Sequence, residues 1–92
     1  MSITDFKKEV MEWAKELRVT PRGIHFRKMT RKWASCSNKG RVTFSTDLLK
    51  EPAEVRAKII AHELLHMRYP NHGKMFNSLL TVHLRNKGIK VT

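Results

Sequence analysis

Ile3, Phe6, Val10, Trp13 and Leu17 recur at three- and four-residue intervals, which predicts an amphipathic helix from about residue 4 to residue 18 with Ser2 or Thr4 as N-cap. Lys7, Lys8, Glu12 and Lys15 fall on its polar face. Pro21 and Gly23 then end helical structure. From Ile24 to Met29 the period changes to two, and a strand with one buried face follows. Trp33 to Cys36 reads as a second strand and Arg41 to Ser45 as a third, with Val42 and Phe44 inward; Ser37-Asn38-Lys39-Gly40 is the turn between them. The expected product is a small three-stranded antiparallel sheet. Ser45, Thr46 or Asp47 can cap a short helical turn through Leu48 and Leu49.

The next helix is expected from about residue 52 to 68, with Glu51 as N-cap and Pro52 at the first helical position. Its apolar residues, among them Ala57, Ile60, Ala61, Leu64 and Leu65, spread around nearly the whole helical wheel, the mark of a helix covered on several sides. Pro70 and Asn71-His72-Gly73 make a stop and a turn. A last helix, from about His72 or Lys74 to Lys87, carries Met75, Phe76, Leu79, Leu80 and Leu84 as its stripe, and Gly88 sits where a C-terminal cap belongs.

Within the covered helix lie His62, Glu63 and His66, the pattern His-Glu-x-x-His. Residues four apart share one helix face, so His62 and His66 can offer two imidazole nitrogens to one Zn²⁺ while Glu63 stands beside them as a general base. Burying these polar groups is costly unless something satisfies them. A metal ion does so at once; the alternative is a core helix in which three separate hydrogen-bond partners happen to meet them.

A catalytic zinc takes three protein ligands and a water. No Asp or Glu follows Glu63, so a downstream ligand must be His72 or His83. His72 comes after a helix stop and a turn that let the chain fold back toward His66. His83 lies eleven residues further along one expected helix, about 16 Å at 1.5 Å per residue, so a straight helix cannot bring both to one ion. His72 is the expected third ligand, with His83, Cys36 and His25 as alternatives; His25 otherwise reads as an exposed strand residue.

Ninety-two residues suffice for one domain, and at that size a bound metal adds to stability as well as to chemistry. The net charge of +11 is segregated: every acid lies between Asp5 and Glu16 or between Asp47 and Glu63. Arg18, Arg22, Arg27, Lys28, Arg31, Lys32, Lys39 and Arg41 form an unopposed basic stretch between them. Such a stretch suits non-specific nucleic acid or another anionic partner, or it is a solvated face. The single Cys36 gives no intrachain disulfide and points to a reducing compartment. No apolar run is long enough to span a membrane and no signal-peptide core opens the chain, so a cytoplasmic protein is expected.

Three segments carry a resemblance: Met29 to Ser37 with Gly40, then Leu48-Leu49, then His62-Glu63-Leu64-Leu65-His66 followed by Pro70-Asn71-His72-Gly73-Lys74-Met75-Phe76. Together they resemble the YgjP-like metallopeptidase-type domains and, more distantly, SprT-type catalytic domains. The resemblance implies an α+β zincin-like minidomain with an N-terminal helix, a small sheet, the metal helix and a C-terminal helix. It implies zinc held by His62, His66 and His72, with Glu63 activating a metal-bound water to hydrolyse peptide bonds in a polypeptide substrate. Nucleotide pyrophosphate cleavage at the same zinc site is the alternative reaction. A basic nucleic-acid-binding module with a structural zinc is the alternative from another class. Tyr69 and Arg68 are candidates for steadying a developing oxyanion.

Overall fold

Ser2 accepts the Asp5 N–H at 3.1 Å and so starts helix α1 (Ile3–Leu17), whose apolar stripe places Phe6, Val10, Trp13, Ala14 and Leu17 in the core. The computed structural model describes residues 1–89. Helix α1 stops before Pro21 is reached. Arg18 adopts the left-handed conformation (φ 57°), and Val19 N–H reaches back to the Ala14 carbonyl at 2.9 Å. This is a Schellman ending built on a non-glycine residue, and neither the stripe nor the proline announces it.

Strands β1 (Gly23–Arg27), β2 (Ala34–Cys36) and β3 (Arg41–Ser45) form one sheet in the order β1-β3-β2. The expected purely antiparallel sheet is corrected here: β1 and β3 run parallel, and only β2 and β3 are antiparallel. The physical reason lies in β3. Val42 and Phe44 are both fully buried, as suits the central strand of the three. Ile24 and Phe26 stand opposite them on β1, Cys36 and Ala34 on β2. The connection from residue 28 to residue 33 is too long for a tight hairpin and carries the chain past the central position to the far edge. It is pinned there by Ser45, which donates its N–H to Trp33 O at 2.7 Å and its hydroxyl to Met29 O at 3.5 Å. Phe6 of α1 meets Phe26 and Phe44 edge-on, with ring centroids 5.3 and 5.1 Å away, and locks the helix to the sheet.

Ser45 also caps the 3₁₀ turn α2 (Thr46–Lys50) by accepting the Asp47 N–H. Glu51 belongs to that turn, since its N–H bonds to Leu48 O at 3.1 Å. Pro52, extended and accepting the Arg56 N–H, is therefore the N-cap of helix α3 (Ala53–Leu65), one residue later than expected. The expected end at 68 overshoots as well. Beyond Leu65 the bonds tighten: Met67 and Arg68 donate to the carbonyls of Leu64 and Leu65, three residues back. Helix α4 (Lys74–Asn86) ends as expected on Gly88 (φ 77°), where Gly88 N–H meets Arg85 O and Ile89 N–H meets Leu84 O, both at 2.9 Å.

Helix α3 is the hub, packed against α1, α4 and β2. Ala57, Ile60, Ala61, Leu64 and Leu65 are buried on it, as the wide apolar spread implies. Arg56 ties it to α1 through Glu9 at 3.2 Å and to its own start through Glu51 O at 2.6 Å. No helix among the described residues is long and apolar enough to cross a membrane.

Candidate metal centre

His62 sits in the last full turn of α3, and His66 is its C-cap, still in right-handed helical geometry with its N–H on His62 O. Their Nε2 atoms are 3.2 Å apart. Pro70 and the turn at Asn71–Gly73, where Gly73 N–H bonds to Asn71 O, return the chain so that His72 Nε2 lies 2.6 Å from His66 Nε2. The ligand nitrogens of His62, His66 and His72 all lie within 4.8 Å of one another, the one such donor cluster among the described residues. His83 is elsewhere: its Nδ1 pairs with Glu16 of α1 at 3.3 Å. His25 is an exposed strand residue.

The donor set fits a metal ion. Two nitrogens each about 2.0–2.1 Å from a tetrahedral ion stand roughly 3.3 Å apart, close to the His62–His66 spacing. Imidazole nitrogens that face one another at 2.6 and 3.2 Å need a shared proton or a cation to offset the repulsion of their lone pairs. Three imidazoles with no carboxylate suit a borderline transition metal far better than Mg²⁺ or Ca²⁺.

Behind the three rings lies Phe76, 1 % exposed, with its centroid 5.3, 4.9 and 4.8 Å from those of His62, His66 and His72. In sequence Phe76 is one member of a core stripe; its second role appears only when α4 folds beneath the histidines. It restricts the rotamers of all three rings at once, which is how a shaped apolar backing orients ligands. Phe76→Leu keeps most of the buried volume but loses the flat backing. The expected result is a cost of about 1–2 kcal/mol in denaturant unfolding of the metal-free protein, with metal affinity reduced by about tenfold in a competitive chelator titration.

Glu63 is half-buried beside this cluster. Burial pushes its carboxyl above the ordinary carboxylate range, against the opposing pull of His66, Lys32 and His72. Burial also holds the His62 imidazole below the ordinary 6.5, helped by repulsion from His66 and His72. In the metal-free protein a depressed His62 means that the unfolded chain takes up this proton first. Acid therefore favours unfolding, and stability contributed by neutral His62 is lost as pH falls below about 6.5. His62→Asn is expected to flatten that part of the stability–pH curve, as read from melts of metal-free protein.

The histidines and Glu63 open into a cleft of about 960 Å³ whose opposite wall is β2 and the β2–β3 turn, including Ala34, Ser35, Cys36 and Lys39. Cys36 lines this wall but stands outside the donor cluster. Burial first, and Glu63 second, push its thiol up, so it stays protonated at neutral pH. Neither oxyanion candidate lines the cleft. Arg68 turns away and donates to Leu17 O at 3.4 Å, with its guanidinium 5.7 Å from the Tyr69 ring centroid. The cation close to Glu63 is instead Lys32, which the sequence shows only as one of eight basic residues. No local pattern sets it apart from the other seven, because tertiary approach alone brings it beside Glu63.

The solved structures that match include the metallopeptidase zymogen abylysin of Pyrococcus abyssi, with a TM-score of 0.72 and 20% identity over 82% of this chain and 75% of that one. That likeness establishes the fold. No curated protein matches in sequence. The model of the YgjP-like family, described as a metallopeptidase domain, matches residues 3–87, nearly the whole chain. The chain is thus a member of the YgjP-like metallopeptidase domain family.

Proposed function

We propose that the protein is a zinc-dependent metallopeptidase in which His62, His66 and His72 hold the ion and Glu63 is the catalytic base. The observation that carries this reading is the convergence of three imidazole nitrogens at one end of an open cleft, with a single half-buried carboxylate alongside. A zinc ion held there would supply Lewis acidity, acidifying a water and polarising a carbonyl. Glu63 would take a proton from the attacking water and pass it to the departing amine.

The substrate has a track on the opposite wall. Trp33 O accepts from Ser45 and Ser37 N–H donates to Arg41 O, so along this antiparallel ladder Trp33, Ser35 and Ser37 face β3. The polar backbone groups of Ala34 and Cys36 then point to the open edge of the sheet. An extended polypeptide laid along that edge acquires backbone hydrogen bonds that do not depend on its sequence, which suits unfolded segments.

A second reading, nucleotide pyrophosphate hydrolysis, is favoured by Arg22, Lys32 and Lys39 in the cleft lining. Against it, Glu63 is the one carboxylate in that lining, whereas enzymes acting on triphosphates hold Mg²⁺ through carboxylates. A structural-zinc module has weaker support, because such sites close with four protein ligands and three donors cluster here. Zinc-loaded protein tested on unfolded polypeptides and on nucleoside triphosphates, with Glu63→Gln as control, decides among these. Glu63-dependent peptide cleavage is the expected result. Pyrophosphate release without any peptide cleavage would overturn it.

A further inference from the structure

Three cations reach the cleft from three separate parts of the chain: Arg22 from the segment after α1, Lys32 from the β1–β2 connection and Lys39 from the β2–β3 turn. All three are exposed, and none has a carboxylate within 4 Å among the described residues, where the ion pairs are Lys28–Asp47, Arg56–Glu9 and His83–Glu16. The other acids lie on α1 or around α2 and the start of α3, leaving Glu63 as the lone negative group in the lining.

The turn that carries Lys39 is held in place. Gly40 is in the left-handed region (φ 84°), and a Cβ there would lie 3.4 Å from Met67 Cε and 3.5 Å from Arg22 Cγ. Arg22 N–H donates to Gly40 O at 2.8 Å. Arg22 and Lys39 therefore stand together on one rim. They also line a second groove of about 720 Å³, which continues the basic surface outward past Arg41 and His25.

A solvated basic face scatters its charges over convex surface. Here they converge on a concave site, where low-dielectric walls focus the field on whatever enters. On the reading of the site as a peptidase, we propose that its substrates are acidic polypeptide segments, with Asp or Glu side chains on both sides of the scissile bond. Lys32 reads one side, and Arg22 with Lys39 reads the other. The spacing follows from β2, since Lys32 precedes this edge strand and Lys39 follows it, so an extended chain of a few residues at about 3.3 Å each spans them. Nucleic acid is the less suitable polyanion because no Phe, Tyr or Trp lines the cleft between the three cations, and only Trp33 stands in the adjoining groove beyond Lys32.

The test uses zinc-loaded protein and peptides of equal length that share a central sequence flanked by Asp, Ser or Lys. The expected kcat/KM for the Asp-flanked peptide exceeds that for the Lys-flanked one by about tenfold at low salt, and the ratio shrinks as salt rises. Arg22→Gln with Lys39→Gln should compress the ratio, and Arg22→Glu with Lys39→Glu should invert it. Equal cleavage of all three peptides overturns the proposal and leaves the peptidase reading standing. If no peptide is cleaved, the peptidase reading falls. Binding of the same peptides to zinc-loaded Glu63→Gln then decides the charge preference, supporting it if the Asp-flanked peptide binds most tightly and overturning it otherwise. Tighter binding of single-stranded DNA than of an acidic peptide of equal charge to that variant overturns it in favour of nucleic acid.

Discussion

Glu63→Gln is expected to keep a full complement of metal and the native fold while peptide hydrolysis falls by at least about 100-fold, the loss typical of removing a general base. The substitution preserves shape and removes only the proton-accepting oxygen. The three histidines already supply the donor cluster, so metal content read by elemental analysis should not change. A second consequence has the opposite sign. Burial raises the Glu63 carboxyl above its ordinary 4.5, so the folded metal-free protein binds this proton more tightly than the unfolded chain does. The stability so gained is present at low pH and is lost as pH rises through the raised value. At neutral pH the ionised carboxylate is therefore a burden on the metal-free fold, and glutamine removes it. The metal-free variant should melt above the wild type at pH 7, with the two converging toward pH 4. A base placed for chemistry at the expense of stability gives both signatures; a Glu63 that merely supports the fold gives neither. Retained turnover, or a variant less stable at pH 7 than the wild type, would sink the assignment.

How far the sequence anticipates this site depends on the range of the interactions that build it. Helices α1, α3 and α4 are legible because their apolar periodicity is local, and the histidine spacing on α3 is fixed by helix geometry alone. The return of His72 follows from Pro70 and Gly73, again within a few residues. Strand direction is another matter. The alternation in Ile24–Phe26 and Val42–Phe44 marks which face is buried, yet nothing local says that β3 takes the central place and β1 pairs with it in parallel. The left-handed Arg18 is invisible for a similar reason: the Schellman bonds to Ala14 and Lys15 override the residue's own preference. Phe76 and Lys32 gain their roles only from tertiary approach, one beneath the histidines and the other beside Glu63. Arg68, close in sequence to the site, is drawn off by the free carbonyl of Leu17 at the end of α1.

His72→Ala is expected to abolish stoichiometric zinc binding, whereas His83→Ala should retain it. His66 and His72 present their Nε2 atoms to each other at 2.6 Å, and the ring of Phe76 packs against both, which is the placement the proposed third ligand requires. Removing it leaves two imidazoles from one helix, which is fewer protein ligands than a catalytic zinc site retains. Losing an outer-shell partner alone costs roughly 10–100-fold in metal affinity, so loss of a direct ligand should exceed about 100-fold. His72 is exposed and lies in a turn, so its removal disturbs little packing, and the metal-free variant should unfold much as the wild type does. His83→Ala carries the reverse pattern: it deletes the contact with Glu16 and so touches the α1–α4 junction, but not the donor cluster. Its expected signature is a loss of stability of about 1 kcal/mol or less with zinc content unchanged. The decisive measurements are metal content after dialysis against a weak chelator and chelator-competition affinity, made on both variants in parallel. Zinc lost from the His83 variant and kept by the His72 variant would refute the ligand set.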